Sequence, residues 1–454
     1  MDELIVSVSG LRGIVGTSLT PEVAVRYAEA FLATLSPGAI VIGRDGRASG
    51  SMFADAIAQA VMAAGRDVLD GGVAATPTVG ILVQEHHAAG GIQISASHNP
   101  PQYNGMKLFS AEGRVLPADA GRTVLQRFQE ASPIAPAEVP GVRRQVDGAA
   151  IHVERVLACV DVEAIRRMAP HVWLDAGHGA GSCAAKLLCE ALGCELTLVG
   201  GTPDGLFEHT PEPTEENLVA MLPQIPASGA DVGFFQDPDA DRLAIATSAG
   251  RFIGEEATLP LAVEAVLAKT PGPVVVNCST SGMTAMVAAK QGVPCHVSAV
   301  GEANVVDQMR ARGAVIGGEG NGGVIDPRVV LVRDSIAGMA LVLERMCAGG
   351  QLTPLETLAQ ALPQRVMVKT KIHLGPEDRG PGLAAAFDRI AEAFPNAKMS
   401  RLDGLRVDEK GMWVLVRASN TEPIVRIVAE AATADEAQSA IDRVNTAMAS
   451  SGGS

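Results

Sequence analysis

One pattern constrains this chain more than any other: an apolar run, a polar turn and a helical segment, begun three times. Ala39-Ile40-Val41-Ile42 closes on Gly43-Arg44-Asp45-Gly46-Arg47 and leads into a helical stretch over 52–64. Val172-Trp173-Leu174 closes on Asp175-Ala176-Gly177-His178-Gly179-Ala180-Gly181, with a helix following through Leu192. Val274-Val275-Val276 closes on Asn277-Cys278-Ser279-Thr280-Ser281-Gly282, and another helix runs through Lys290. Short, wholly apolar runs suit strands buried on both faces, and strands alternating with helices build α/β layers. The pattern predicts three α/β units of similar build with mixed sheets. Their likeness is one of pattern, not of residue identity.

The last quarter differs. Segments 365–372 and 411–417 have strand character, and 433–449 reads as a helix opening on a capping box, Thr433 with Glu436. A smaller C-terminal α+β unit is expected there. The 454 residues are enough for two to four domains. The expected division is 1–150, 151–254, 255–366 and 367–454. The proline-rich 133–140 reads as a linker or surface excursion, 354–363 as the joint before the last unit, and the tail 450–454 as disordered. Hydrophobic residues make up 47% but aromatics only 3%, so the cores are aliphatic.

A net charge of −15 provides no basic field for a nucleic acid or an anionic membrane, though a local basic cleft for a small phosphate ester is compatible with it. Seven cysteines, odd in number and without a C-x-x-C pair, read as buried or idle thiols in a reducing compartment. Met1-Asp2-Glu3-Leu4-Ile5 lacks the basic start and long apolar stretch of a secretory leader, and no segment has the length of a membrane span. A soluble, cytoplasmic protein is expected.

Four motifs carry chemistry. Ser95-Ala96-Ser97-His98-Asn99-Pro100 leaves an apolar run and leads to Asn104-Gly105-Met106-Lys107. Pro100 and Pro101 forbid a helix, so hydroxyls, an imidazole and an amide sit on a stiff loop, where an activated serine is a nucleophile. Alone, the hexapeptide fits an ordinary Ser/Asn/Pro turn equally well. Asp237-Pro238-Asp239-Ala240-Asp241-Arg242 lies between apolar runs. Carboxylates at i, i+2 and i+4 repel one another unless a cation stands between them, and hard oxygens favour Mg²⁺ or Ca²⁺. An EF-hand is excluded, because Arg242 and Ser248 stand where it needs Gly and Glu. Arg417-Ala418-Ser419-Asn420-Thr421-Glu422-Pro423 with Arg426 gathers guanidiniums, hydroxyls and backbone N–H groups, a set that surrounds a phosphate. Gly317-Gly318-Glu319-Gly320-Asn321-Gly322-Gly323 lets a backbone approach a ligand, with Glu319 and Asn321 able to bond sugar hydroxyls. Ser9-Gly10-Leu11-Arg12-Gly13 puts an arginine in a further glycine-rich turn. There is no P-loop, and the histidines outside the serine loop show no metal-ligand spacing.

These motifs, in this order, resemble the α-D-phosphohexomutases over nearly the whole chain. The resemblance extends to Gly43–Arg47, Asp175–Gly181, Asn277–Gly282, Pro203-Asp204-Gly205 and Pro211-Glu212-Pro213. It implies four domains around a central cleft, each giving it one loop. Ser97 matches the phosphorylated serine, and Asp237, Asp239 and Asp241 match the metal ligands, with a phosphoserine oxygen completing the set. Lys107 matches the general acid/base, while Arg12, His98 and Arg242 line the reacting end. Glu319 and Asn321 match the sugar loop, and Arg417, Ser419, Asn420, Thr421 and Arg426 the distal-phosphate loop. Val300-Gly301-Glu302 stands where the phosphomannomutase/phosphoglucomutase branch has Thr-Gly-His, which adds Glu302 to the substrate-binding set. Mg²⁺, with a hexose 1,6-bisphosphate as activator, is the expected cofactor set, and sugar phosphates are the expected partners.

The implied reaction interconverts hexose 1- and 6-phosphates through phosphoserine and a bound 1,6-bisphosphate. The overall pattern resembles phosphoglucosamine-mutase-like members, with phosphomannomutase/phosphoglucomutase as the alternative. Two rivals keep the fold but not the reaction: a non-catalytic sugar-phosphate sensor, and a phosphatase or phosphotransferase that does not return the phosphate. Glu319 and Glu302 carry negative charge towards the proposed cleft, which favours a 2-ammonium sugar.

Overall fold

The first apolar run becomes the strand Ile40–Arg44, buried through Gly43 and flanked by parallel neighbours Val68–Val73 and Gly90–Ile94. The computed structural model describes residues 4–131, 133–373, 381–418 and 424–449. Among the described residues the strands form four sheets. In the first, Ile5–Ser7, Gly10–Ile14, Tyr103–Ser110, Gly90–Ile94, Ile40–Arg44, Val68–Val73 and Arg143–Gln145 lie in that order. The second orders Leu243–Thr247, Val232–Gln236, His171–Asp175 and Glu195–Val199, and the third orders Cys295–Ser298, Val274–Asn277, Ile316–Glu319 and Gly323–Ile325. Both mix parallel and antiparallel pairs, as expected. The fourth runs Val366–His373, Ile424–Ala431, Met412–Ala418, Leu405–Glu409 and Lys398–Ser400, wholly antiparallel, with helices Pro381–Ala393 and Ala434–Ala449 beside it.

Parallel strands point their carboxyl ends the same way, and ligand sites of α/β sheets gather there. Each polar turn of the sequence pattern leaves such an end. The three α/β units also share one apolar core, in which Val79 and Leu82, Leu174 and Phe234, and Val276, Ile336 and Leu341 belong to one cluster. Helix Ser335–Cys347 is apolar nearly all round and runs through it, as a helix without a polar face must. The C-terminal unit has its own core and meets the third through a small patch of Cys278, Trp413 and Leu415.

Several local expectations need amending. Arg12 sits on strand Gly10–Ile14 of a hairpin rather than in a turn. Of the two readings of 133–140 the surface excursion holds and the linker does not: the segment is largely exposed, Ala137 N–H bonds Ala63 O, and the chain returns as Arg143–Gln145 to extend the first sheet. The joint at 354–363 contains helix Leu355–Ala361, because Leu355, Leu358 and Ala359 repeat at helical spacing and bury one face. The capping box is present, with Thr433 N–H to Glu436 Oε2 and Glu436 N–H to Thr433 Oγ1 both at 3.3 Å. All seven cysteines are free. No helix among the described residues is long and apolar enough to cross a membrane. The tail 450–454 lies outside the described residues.

Candidate active site

The serine loop owes its shape to a buried arginine. Arg47, 2% exposed, donates to the carbonyls of Ser97 and Asn99 at 2.6 Å, Pro100 at 2.7 Å and Tyr103 at 3.0 Å. Its Nε pairs with Asp45 Oδ2 at 3.0 Å. The same carboxylate oxygen accepts from Ser95 Oγ at 2.7 Å, and Ser95 Oγ accepts the N–H of Ser97 at 2.8 Å. Ser97 is thereby held at φ +50°, a left-handed conformation that costs a residue with a Cβ of the order of 1–3 kcal/mol. Its Oγ donates to Asp237 Oδ2 at 2.8 Å, and His98 Nδ1 lies 3.4 Å away.

The acidic loop is the turn between antiparallel strands Val232–Gln236 and Leu243–Thr247. Asp237 Oδ1 accepts the N–H groups of Asp241 and Arg242, both at 3.1 Å. Asp239 Oδ2 accepts from Thr76 Oγ1 at 2.5 Å and Lys107 Nζ at 2.7 Å. Asp241 Oδ2 accepts from Lys107 Nζ at 2.5 Å and Arg333 Nη2 at 2.6 Å. One oxygen from each aspartate lies within 4.8 Å of the others. Asp239 Oδ1 and Asp241 Oδ1 are buried without any hydrogen-bond partner. Orphaned carboxylate oxygens are costly, and three hard donors at this spacing suit a divalent cation such as Mg²⁺.

The charges here are strongly coupled. Burial and the neighbouring Asp239 and Asp241 push Asp237 well above the usual carboxylate range. Burial pushes Asp241 the same way, but Arg333 and Lys107 outweigh it and hold that carboxyl low. Burial alone would lower Lys107, yet Asp239 and Asp241 raise it. The two carboxylates thus hold the Lys107 ammonium charged, which suits it to give a proton before it takes one. His98 is pushed down to about 3 by burial beside Arg242 and Arg12, so it is neutral at working pH. Arg12 Nη1 bonds Asn99 Oδ1 at 2.9 Å, and Arg242 Nε lies 3.7 Å from Asp241 Oδ1. Ser97, His98, Lys107, Arg12, Arg242 and the three aspartates thus meet at one place. Glu212 reaches it too, 3.9 Å from His98 Nε2 and 4.0 Å from Arg242.

The glycine-rich loop is the hairpin from Ile316–Glu319 to Gly323–Ile325. Glu319 Oε1 accepts from Asn277 Nδ2 at 2.8 Å and from Gly301 N–H at 3.2 Å, while its Oε2 accepts from Arg333 Nη1 at 2.6 Å. Glu302 also turns to Arg333, taking its N–H at 2.8 Å and lying 3.4 Å from Nε. Both glutamates offered as attractors for an ammonium group therefore already share a guanidinium. Asn321 Oδ1 accepts the N–H of Gly323 at 3.2 Å, which shapes the hairpin.

The C-terminal sheet presents a different array. Register places Lys371 opposite Arg426, and Arg426 opposite Arg417, so three cations form one row across three strands. Lys369 occupies the next row on that face, beside Val428 and Leu415. Like charges directly opposite one another are destabilising in a sheet. These four cations line a cavity of about 640 Å³ together with Ser279 and Val300 of the third unit. Asp403 ties the wall together, bonding Arg417 Nε at 2.9 Å and Val300 N–H at 3.0 Å. Ser419, Asn420 and Thr421 lie outside the described residues.

Family models of the phosphoglucomutase/phosphomannomutase group match this chain in series. They are α/β/α domain I over 4–134, domain II over 150–250, domain III over 255–366 and the C-terminal domain over 375–447. The chain belongs to this family. It is 36% identical over 437 residues to a phosphoglucomutase/phosphomannomutase of Thermococcus kodakarensis, covering 94% of this chain and 95% of the relative. A phosphoglucosamine/phosphogalactosamine mutase of Sulfurisphaera tokodaii is 31% identical over 432 residues, covering 93% and 94%. A solved phosphoglucomutase/phosphomannomutase family protein of Burkholderia thailandensis superposes with a TM-score of 0.85 at 28% identity, covering 99% of each chain. As a phosphohexomutase, this chain is an enzyme that transfers a phosphoryl group within its substrate.

Within this phosphohexomutase, the residues that build the site outnumber those the motifs single out. Arg47 and Asp45 stand in a polar turn whose length from the serine loop conceals their contact. Thr76 opens helix Thr76–Glu85 and bonds Asp239 across the unit boundary through both its N–H and its hydroxyl. Lys369 and Lys371 alternate on a strand, a spacing visible in the sequence, but only register sets Lys371 beside Arg426. Arg333 lies in a polar Arg-Asp-Ser step before an apolar helix, where nothing in the sequence points to a charge bridge.

Proposed function

We propose that this enzyme interconverts hexose 1-phosphate and hexose 6-phosphate through phosphorylated Ser97. The observation that carries the reading is the buried Ser97 Oγ, 2.8 Å from Asp237, on a left-handed residue clamped by Arg47. Phosphoserine gives its phosphoryl group to the free hydroxyl of a bound hexose monophosphate: the new sugar O–P bond forms as the Ser97 O–P bond breaks. The resulting 1,6-bisphosphate turns over in the cleft and returns its other phosphoryl group to Ser97. Lys107, held as an ammonium, gives its proton to the leaving serine oxygen and takes up the proton of the attacking sugar hydroxyl. Phosphorylation removes the proton that Ser97 now donates to Asp237 and sets a dianion against three carboxylates. Asp237, Asp239 and Asp241 would hold Mg²⁺, which when bound offsets charge on the transferring group. Arg417, Arg426, Lys371 and Lys369 hold the phosphate that does not react, a reading supported by their crowding on one face. By this assignment 1–150 is the phosphoserine domain, 151–254 the metal domain, 255–366 the sugar domain and 367–454 the distal-phosphate domain.

The sugar we assign is glucosamine phosphate. Glu302 and Glu319 oppose one guanidinium, and a relative bears a phosphoglucosamine/phosphogalactosamine mutase name. Phosphoglucomutase/phosphomannomutase activity is the second reading. Favouring it, both oxygens of Glu319 are committed to protein donors, and the relative at 36% identity carries that name. Side-by-side kcat/KM values for glucosamine, glucose and mannose 1-phosphates, with the cognate bisphosphate added, separate the two. Peptide mass analysis should find phosphate on Ser97. Conversion of hexose 1-phosphate at full rate by an Asp239→Asn enzyme in EDTA would refute the metal-assisted mechanism.

A further inference from the structure

Arg333 is a buried cation that no motif claims, 7% exposed, with carboxylates on three sides. Nη2 bonds Asp241 Oδ2 at 2.6 Å, Nη1 bonds Glu319 Oε2 at 2.6 Å, and Nε faces Glu302 Oε2 at 3.4 Å. Asp241 belongs to the acidic cluster, Glu319 to the glycine-rich hairpin and Glu302 to the start of helix Glu302–Arg312. One planar guanidinium therefore spans two loops from different sheets, using the two ends of its fork.

Its backbone has little freedom. Arg333 N–H bonds Glu302 Oε1, and Asp334 N–H bonds Val324 O at 2.8 Å. Asp334 Oδ1 caps helix Ser335–Cys347 through the N–H groups of Ile336 and Ala337, and its Oδ2 meets His152 Nε2 at 2.8 Å. Ser335 Oγ donates at 2.7 Å to the carbonyl of Ala240, the left-handed residue between Asp239 and Asp241. A Cβ on Gly323 would fall 2.3 Å from Arg333 Cδ, so that glycine makes room for the side chain. Three consecutive residues thus fix the central helix, the metal loop and the sugar loop to one another.

We infer that Arg333 is a positioning residue that couples the metal site to the sugar loop. It competes with a bound cation for Asp241 while anchoring Glu319, so its removal should act in opposite senses on the two sites. Without the guanidinium the acidic cluster becomes more negative and attracts a divalent cation more strongly. Glu319 and Glu302 lose their shared partner, and the sugar loop loses its fixed geometry. This inference rests on the reading of the three aspartates as metal ligands.

The test measures Mg²⁺ binding by calorimetry on metal-free, unphosphorylated protein, and sugar-phosphate kinetics on the same preparations, for wild type, Arg333→Met and Arg333→Lys. Arg333→Met should bind Mg²⁺ about tenfold more tightly, because one unit of nearby positive charge is gone. Its KM for the hexose phosphate should rise roughly tenfold and kcat should fall. Arg333→Lys keeps the charge but not the fork, so its Mg²⁺ affinity should stay within about threefold of wild type while KM still rises. Mg²⁺ affinity unchanged or weakened in a folded Arg333→Met protein, or normal KM in Arg333→Lys, would overturn the coupling. If Arg333→Met does not fold, the Arg333→Lys split decides alone. Wild-type Mg²⁺ affinity that is indifferent to Asp239→Asn would instead remove the metal reading on which the coupling stands.

Discussion

At the serine end, Asp45, Asp239, Asp241, Glu302 and Glu319 are each met by Arg47, Lys107 or Arg333 within 3.4 Å or less. On the C-terminal sheet, Lys371, Arg426 and Arg417 stand directly opposite one another on neighbouring strands. The first region pairs its charges and hides them; the second crowds four cations around an open cavity, with Asp403 beside Arg417 and Glu255 and Glu256 at 3.5 and 3.6 Å from Lys369. On the proposed function, the difference follows from what each would hold. A reacting group needs atoms fixed before the substrate arrives, so the protein supplies both members of each pair. On the proposed reading, a phosphate that serves only as a handle adds its own negative charge to that crowd of cations.

Substitutions at the two regions should therefore fail differently. The largest effect belongs to Ser97→Ala, which should lower mutase turnover by at least about 10³-fold while hexose phosphate still binds, as steady-state kinetics and calorimetry would report. Full activity would end the phosphoserine mechanism. Arg47→Met should come next, because it strands buried Asp45 and leaves the serine-loop carbonyls without their donor. Breaking a buried pair typically costs about 3–5 kcal/mol, readable by chemical denaturation, and Ser97 should accept phosphate from the bisphosphate more slowly.

Arg417→Ala should leave the fold intact but raise KM and lower kcat, together costing roughly 10–100-fold in kcat/KM, because the distal phosphate orients the reacting hydroxyl. Unchanged kinetics would place that phosphate elsewhere. The smallest change should be Lys371→Ala, which relieves like-charge repulsion across the strands. Stability without ligand should rise by up to about 1 kcal/mol in thermal or denaturant melts, with a modest rise in KM. Destabilisation there would mean that the cation row is as internally balanced as the serine end.

Legibility in the sequence also divides along this line. Ser97, Asp237, Asp239, Asp241 and Lys107 sit in short motifs whose residue types already suggest their chemistry. The three strand–turn–helix starts and the capped C-terminal helix were readable from periodicity, since local burial patterns repeat at fixed spacing. Arg47 and Arg333 were not readable as partners, because the carbonyls that Arg47 binds lie 50 to 56 residues away in sequence and the carboxylates that Arg333 bridges through its fork lie 14 and 92 away. Glu302 and Glu319 read as open negative charge and prove to be neighbours of a guanidinium, which only folding brings to them.

By itself the sequence determined the α/β repetition, the acidic loop, the serine loop and the family, all properties of residues within a few positions of each other. Tertiary structure alone decided which charges cancel. The shared core of the first three units brings Arg333 between Asp241 and Glu319, and strand register sets Lys371, Arg426 and Arg417 in one row. Electrostatic balance depends on distances of a few ångströms between residues remote along the chain, and periodicity and motif spacing carry no information about those distances.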